Sequence, residues 1–269
     1  MSRPTIICIP GPCQPAEIYV PLQSALLPYG YSVLPISLPS IGNIPPPYDF
    51  AEDVIAIRSV VVELLEQQKD VIVVMQGFNG VSGSQALHGL GSIERQRLGL
   101  RGGIIRLVFI MGWVVKENFQ AAPRGDVSNM FHYMKVDPSV SHDLYACYDL
   151  FSNMCQNGIC TIDPAVAAKT FYNDLSPEEI AYWISRLQTQ SLGIFWSKTS
   201  FAAWRCIPST YVICGKDGCV DENYAKLILG AAKEDGRHMI DTIERCAEAS
   251  HCPMLGKIQW TVNSECLRA

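Results

Sequence analysis

Short apolar runs that alternate with amphipathic stretches constrain the fold of this chain more than any other feature. The runs Thr5–Ile9 (TIICI), 71–75 (VIVVM) and 103–111 lack alternating polar residues, so they predict strands that are buried on both faces of a sheet. Residues 48–68 place apolar side chains along one helical face, with Asp49 as the predicted N-cap. Strands that alternate with such helices predict an α/β fold with a mostly parallel sheet.

The middle of the chain, residues 113–205, lacks this pattern, which resumes at 210–214. We therefore predict an α/β core formed by 1–112 and 206–269, with 113–205 inserted as a helical cap (lid) that includes a helix at 177–190. The apolar composition of this segment predicts a largely apolar small-molecule substrate. The cap residues that carry this prediction are Trp113, Phe131, Tyr133, Met134, Tyr145, Tyr148, Met154, Trp183, Phe195 and Trp196.

Composition excludes several classes of protein. Of the 269 residues, 48% are hydrophobic and 17% are charged, which excludes an intrinsically disordered chain. The formal net charge of −5 gives no attraction to nucleic acid or to an anionic membrane surface. The longest apolar run, 104–115, is too short to span a membrane, and the first residues show no signal-peptide pattern. We therefore expect a cytoplasmic protein without nucleic-acid or membrane partners.

The cysteines and glycines indicate neither a metal nor a cofactor. The chain has 11 cysteines, most of them in apolar contexts, and we interpret them as reduced, buried thiols. Cys155 and Cys160 have no second pair at zinc-site spacing, and the glycines at 99–103 do not form a phosphate-binding loop. We therefore predict no metal and no cofactor, and a homodimer is compatible with the sequence.

Four short motifs occur in an order and spacing that resemble the α/β-hydrolase superfamily. The similarity is greatest to plant methylesterases, hydroxynitrile lyases and fungal relatives associated with natural-product pathways. The resemblance implies an α/β-hydrolase sheet of the eight-stranded type, and the motifs would supply the oxyanion-hole loop, the nucleophile elbow, the triad acid and the triad histidine. In that order they are 9–13 (IPGPC), 73–80 (VVMQGFNG), 208–217 (PSTYVICGKD) and 249–255 (ASHCPML).

Two departures from the family pattern affect ester hydrolysis directly. Gly77 stands where the resemblance implies the nucleophilic serine, and Gln76 replaces the histidine that usually precedes it. The family's oxyanion hole uses two backbone N–H donors, of which that of Phe78 remains. The other would belong to the residue after Gly11, but this is Pro12, which has no N–H. Loss of one such donor typically costs about 10²–10³ in rate, so the sequence argues against a serine hydrolase.

Nearby residues are not expected to replace the nucleophile. Ser82 and Ser84 fall on the helix predicted after the elbow, at least one turn below its mouth. Cys13 would lie beside the oxyanion-hole loop and Cys252 beside the triad histidine, but neither is at the elbow. We interpret both cysteines as packing or pocket-lining residues.

The resemblance leaves a histidine–aspartate pair intact. It implies that Asp217 orients His251, which then acts as a general acid or base. Each residue also has a structural interpretation: His251 as a loop histidine, and Asp217 as a turn residue before Gly218. The intact pair without a nucleophile favours proton transfer without covalent catalysis.

We therefore predict a non-hydrolytic lyase or cyclase that acts on a polyketide- or terpenoid-like intermediate by cyclisation, elimination or decarboxylation. Three alternatives remain open: a catalytically dead hydrolase that binds a ligand, a pericyclase that works by shape, and a hydrolase in which His251 activates water directly. The predicted catalytic residues are His251 and Asp217. The predicted substrate-binding residues are Gly77, Gln76, Phe78, Pro12 and Cys13.

Overall fold

Two sheets account for the strands of the computed structural model, which describes residues 3–128, 130–137 and 158–264. The described strands are β1 Thr5–Ile9, β2 Ser32–Pro35, β3 Asp70–Gln76, β4 Gly103–Ile110, β5 Met134–Val136, β6 Ile159–Ile162, β7 Gln190–Ser191, β8 Ser209–Cys214 and β9 Ile240–Cys246. Six of them form a central parallel sheet in the order β2-β1-β3-β4-β8-β9. This arrangement confirms the predicted α/β class, but the sheet has six strands in the described ranges rather than the eight-stranded type.

Helices connect the strands of the central sheet. The described α-helices are α1 Val20–Leu26, α2 Ala51–Glu66, α3 Gly80–Ala86, α4 Ser92–Arg97, α5 Pro164–Thr170, α6 Pro177–Ile184, α7 Gly193–Trp196, α8 Glu222–Lys233, α9 Pro253–Gly256 and α10 Ile258–Asn263. Short 3₁₀-helices cover Ala16–Tyr19, Leu27–Tyr29, Gly77–Asn79 and Ala203–Arg205. Across the part of the chain that the structure describes, no helix combines the length and apolarity that a bilayer crossing requires.

The structure confirms the core strands that were predicted from apolar runs. Every residue of β1 and β8 is buried, as is every residue of β3 except Asp70, which agrees with central parallel strands. Helix α2 is also confirmed, although its N-terminus differs from the prediction. Phe50 rather than Asp49 is the N-cap, and Asp49 Oδ1 instead accepts a hydrogen bond from the Ala51 N–H at 2.7 Å.

Residues 113–205 contain helices and also a small antiparallel sheet in the order β5-β6-β7. The sequence predicts only helices here, because strands of three, four and two residues are too short to leave a periodic pattern. Helix α6 begins where predicted, with a capping box between Ser176 and Glu179, but it ends at Ile184 rather than at residue 190. The boundaries of the cap stay a prediction. The cap residues Tyr145, Tyr148, Met154 and Cys155 lie outside the described residues.

A buried carboxylate joins α2 to the loop that follows β2. Asp53 is fully buried, and its two oxygens accept hydrogen bonds from the N–H of Ser40 at 2.8 Å and from the Ser40 hydroxyl at 2.6 Å. Burial raises the pKa of the Asp53 carboxyl to about 6, although the hydrogen bonds from Ser40 act in the opposite direction. The folded protein therefore binds a proton at Asp53 more readily than the unfolded chain does.

We expect the Asp53→Asn variant to gain stability relative to the wild type as pH rises from about 4 to about 6. Because the folded-state pKa is raised, the stability that protonated Asp53 contributes is fully present below the unfolded-state pKa and is lost as pH rises through the folded-state value. Chemical unfolding at a series of pH values should give a difference near zero at pH 4 and about 1–3 kcal/mol in favour of the variant at pH 7. A difference that does not change with pH would contradict this assignment.

Candidate functional site

A histidine–aspartate pair lies at the carboxyl edge of the central sheet. Asp217 follows β8, and His251 lies in the loop between β9 and α9, so parallel strands deliver both residues to the same edge. His251 Nδ1 and Asp217 Oδ2 are 2.6 Å apart, and the two side chains are 2% and 0% exposed. The other carboxylate oxygen, Oδ1, accepts hydrogen bonds from the N–H groups of Cys219 at 2.7 Å and Val220 at 2.9 Å. Asp217 is therefore held by its own loop and fixes the orientation of the imidazole ring.

Gly77 lies directly in front of the free ring nitrogen of His251. It follows β3 at the turn into a 3₁₀-helix, with a φ of +55°, a backbone conformation that favours glycine. A Cβ atom placed on Gly77 would lie 3.3 Å from His251 Nε2 and 3.6 Å from Pro12 Cδ. Gly77 therefore presents no nucleophilic group to Nε2, and even a Cβ atom at this position would contact the ring tightly.

The two serines after this turn are engaged within α3, as predicted from their position in the sequence. Ser82 is buried, and its hydroxyl donates to the carbonyl oxygen of Asn79 at 3.3 Å. The hydroxyl of Ser84, also buried, accepts from the N–H of Ala203 at 2.8 Å. Both hydroxyl groups are therefore hydrogen-bonded to backbone groups and do not lie at the turn beside His251.

A small cavity of about 10 Å³ lies beside His251, with room for about one water molecule. An organic substrate therefore requires the lining side chains to move apart. Three of the predicted cap residues reach the cavity, and so do Pro12, Gly77 and Phe78 from the predicted substrate-binding set. The full lining is Pro12, Gly77, Phe78, Trp113, Tyr133, Met134, Phe171, Cys219, Val220 and His251.

The structure places Gln76 behind the cavity rather than in its lining. The side chain is fully buried; its Oε1 accepts from the N–H of Gly11 at 3.2 Å, and its Nε2 donates to the carbonyl oxygen of His251 at 2.9 Å. Nε2 also lies 3.4 Å from Cys252 Sγ. Gln76 therefore joins the loop after β1 to the loop that carries the histidine.

Cys13 is also buried behind the lining residues. Its backbone N–H donates to Gln190 Oε1 at 3.3 Å, and its Sγ lies 4.0 Å from the carbonyl oxygen of Cys160 in the cap. The structure thus connects Cys13 to the cap rather than to the space beside His251. A substrate contact by Cys13 stays a prediction.

We expect the Gln76→Leu variant to lose about 2–6 kcal/mol of unfolding free energy. Leucine fills a similar volume but leaves the N–H of Gly11 and the carbonyl oxygen of His251 buried without their partner, at about 1–3 kcal/mol each. Denaturant unfolding measures the loss. Gln85→Leu is a matched control, because Gln85 is half-buried and makes its hydrogen bonds to Ser200 and to the N–H of Phe201 near the surface. Equal losses in the two variants would contradict a joining role for Gln76.

The cysteines around the site are thiols rather than thiolates. Burial raises the pKa of Cys219 and of Cys252, and the charge of Asp217 raises both further. The contact with Cys160, together with burial, raises the pKa of Cys13. A protonated thiol is a poor nucleophile, so none of the three is suited to replace a catalytic serine.

One group of residues has donor atoms close enough to surround a metal ion. Among the residues that the structure describes, an oxygen of Asp217, the sulfur of Cys219 and a ring nitrogen of His251 lie within 4.8 Å of one another. A metal there would have to replace the 2.6 Å contact between Asp217 and His251. The arrangement favours proton transfer over metal binding, and the expectation of no metal and no cofactor stays a prediction.

Sequence reasoning missed three residues that line the cavity: Phe171, Cys219 and Val220. Cys219 and Val220 belong to the loop that holds Asp217, so their proximity to the aspartate in sequence was a usable signal. Phe171 is the C-cap residue of α5 in the cap. Its ring is nearly perpendicular to the His251 ring, with 5.3 Å between the ring centroids. No motif in the sequence marks this residue.

The chain is similar to known proteins in both sequence and structure. The model of the alpha/beta hydrolase family matches residues 6–260. An alpha/beta hydrolase from Aspergillus novofumigatus is 28% identical over 255 residues, which cover 95% of this chain and 92% of the relative. Among solved structures, a mutant of polyneuridine aldehyde esterase has a TM-score of 0.74 at 16% identity, covering 99% of this chain and 98% of that one. Tomato methylketone synthase I in complex with 2-tridecanone has a TM-score of 0.68 at 13% identity, covering 97% and 96%.

Proposed function

We propose that this chain, which belongs to the alpha/beta hydrolase family, is a non-hydrolytic lyase or cyclase that uses His251 and Asp217 as an acid/base pair. The observation that carries the proposal is that Nε2 of the held His251 faces a glycine, because a Cβ placed on Gly77 would already lie 3.3 Å from that nitrogen. In this proposal Gly77 stands where a hydrolase of the family has its nucleophilic serine. A reacting carbon of the substrate would approach Nε2 from this side once the lining side chains have moved apart.

The chemistry follows from the fixed orientation of the histidine. A carboxylate can only accept hydrogen bonds, so Asp217 keeps the proton of the neutral ring on Nδ1 and leaves Nε2 free to take one. When Nε2 is protonated, the negative charge of Asp217 stabilises the imidazolium. His251 can therefore remove a proton from a substrate carbon, or deliver one to it, without forming a covalent bond to substrate.

The remaining groups of the site support non-covalent rather than acyl-transfer chemistry. Pro12 borders the cavity without an N–H, and Phe78 retains its N–H at the turn after β3. Most of the other lining residues are apolar, which favours a substrate with a hydrocarbon body. The fold that this chain shares with a ketone-bound methylketone synthase supports ketones as test ligands.

We expect no labelling by a fluorophosphonate probe and no turnover of p-nitrophenyl esters, because Gly77 offers no hydroxyl and Pro12 no N–H. We expect turnover of β-ketoheptanoate, which loses carbon dioxide, or of 4-hydroxyheptan-2-one, which loses water, since both reactions need only proton transfer beside a carbonyl. Intact-protein mass spectrometry and chromatography of the products measure these outcomes. Stoichiometric labelling at Ser82 or Ser84 would contradict the assignment of the turn.

A further inference from the structure

Tyr133 lines the same cavity as His251. Tyr133 is 5% exposed and lies immediately before β5 in the cap. Its ring stacks on Phe131 at 5.3 Å and meets Phe171 edge-on at 5.3 Å. Phe171 also packs edge-on against His251 at 5.3 Å, so a single aromatic ring holds both polar rings in place.

The Tyr133 side chain lies beside a thiol rather than beside a strong acceptor. This thiol is that of Cys219, whose sulfur lies within 4.8 Å of a ring nitrogen of His251. Sulfur is a poor hydrogen-bond acceptor compared with a carbonyl or enolate oxygen. A substrate oxygen that enters the cavity therefore offers the hydroxyl a better partner a short distance from His251.

A buried phenol at this place is costly unless its hydroxyl is used. Burying a hydroxyl without a good partner destabilises the folded protein, and phenylalanine would fill nearly the same volume. Burial also raises the pKa of Tyr133 well above its ordinary value, so the group stays a neutral donor at physiological pH. Among the lining residues that the structure describes, Tyr133 carries the hydroxyl, and Trp113, Cys219 and His251 carry the other polar side-chain groups.

We propose that Tyr133 is a catalytic hydrogen-bond donor that binds the carbonyl oxygen of a ketone or β-keto acid substrate and directs the adjacent carbon towards His251 Nε2. The proposal rests on the proposed function and names its substrate class. Tyr133 would supply, from the cap, the donor that Pro12 cannot supply from the loop after β1. Such a donor stabilises the negative charge that develops on oxygen when an enolate forms.

The reaction of a β-keto acid balances with these groups alone. The bond between the carboxylate carbon and the α-carbon breaks, carbon dioxide leaves, and the electron pair forms an enolate whose oxygen accepts from the Tyr133 hydroxyl. The imidazolium of His251 delivers its proton to the α-carbon, which gives a methyl ketone and neutral imidazole. Solvent then returns a proton to His251, while Tyr133 remains protonated throughout.

The test uses heptan-2-one whose carbonyl carries a heavy carbon isotope, because its infrared band reports a hydrogen bond without needing turnover. In the wild type we expect the band of the bound ketone at lower frequency than in an apolar solvent. Tyr133→Phe should abolish this shift and raise the Kd about tenfold, as expected for one lost hydrogen bond. The matched control is Tyr182→Phe, since Tyr182 is 49% exposed on α6 and outside the cavity lining. It should change neither value.

A second substitution keeps the test decisive if Tyr133→Phe folds poorly. Incorporation of 3-fluorotyrosine at position 133 makes the phenol more acidic and should move the carbonyl band further in the same direction. The same frequency and Kd with and without the Tyr133 hydroxyl, or no binding of the ketone, would overturn the proposal. If His251→Ala lowers turnover of β-ketoheptanoate but Tyr133→Phe does not, the proposed role of Tyr133 is wrong and the proposed function stands. If the carbonyl band depends on Tyr133 but His251→Ala keeps full turnover, the acid/base role of His251 is wrong and the role of Tyr133 as a hydrogen-bond donor stands.

Discussion

Replacement of His251 by alanine should lower kcat for β-ketoheptanoate, or for whichever probe the wild type turns over, by about 10²–10⁴, the usual range for a lost general acid or base. The imidazole ring is positioned for proton transfer, because Nδ1 is held 2.6 Å from Asp217 Oδ2 and Nε2 faces Gly77. Asp217→Asn should lower kcat by a similar or smaller factor, because an amide can hold the ring in the wrong tautomer. Steady-state kinetics with product quantification measures both effects.

His88→Ala is a suitable control for this experiment. His88 contacts Phe201 at the surface and does not line the cavity, so its loss should leave kcat unchanged. Full turnover by His251→Ala would exclude proton transfer by this residue and favour catalysis by shape. Ligand binding without turnover by the wild type would instead favour a catalytically dead hydrolase. Ester cleavage that depends on His251 would favour direct activation of water.

Replacement of Gly77 by serine should impair the native reaction without creating an efficient esterase. A side chain at Gly77 begins 3.3 Å from His251 Nε2 and occupies the space proposed for the reacting carbon. We expect kcat to fall by about 10²-fold, a typical cost of misplacing substrate by about 1 Å. Esterase activity should remain low because Pro12 offers no N–H to a tetrahedral intermediate. Parallel assays with β-ketoheptanoate and a p-nitrophenyl ester measure both outcomes.

Gly89→Ser separates the effect of cavity filling from that of backbone strain. Gly89 also has a positive φ, +77°, but a Cβ there would meet no atom within 4 Å. The strain of a non-glycine residue should therefore appear in both variants as a loss of stability, whereas only Gly77→Ser should lose turnover. An efficient esterase produced by Gly77→Ser would show that the remaining Phe78 N–H is sufficient and that Pro12 is not an obstacle.

The sequence predicted the core of the fold because buried parallel strands leave a strong signal. The apolar runs in β1, β3 and β8 have no polar residue in the middle, and each predicted bound lies within one residue of the observed one. The strands of the small cap sheet contain two to four residues, so their pattern cannot be told from that of a loop. Their positions are set by pairing between distant segments, which a single sequence does not reveal.

The sequence predicted the parts of the candidate site whose backbone position a motif fixes. It did not predict the parts that depend on the orientation of individual side chains. The sequence placed His251 and Asp217 at one edge of the sheet, and the structure has them 2.6 Å apart. Gln76 directly precedes the turn, but its side chain lies behind the cavity because alternate residues of a strand point to opposite faces. The contact between Tyr133 and Cys219 joins the cap to the core, and no local pattern in the sequence indicates it.

Hydrogen–deuterium exchange at the carbons next to the carbonyl of heptan-2-one is the most direct test of proton transfer by His251. It needs neither the natural substrate nor a bond-breaking step, and nuclear magnetic resonance in deuterium oxide follows it in time. The wild type should catalyse exchange at these positions, and His251→Ala should lower the enzyme-dependent rate by about 10²–10⁴. Equal exchange rates with the wild type and with His251→Ala, or no exchange with either, would contradict an acid/base role for His251.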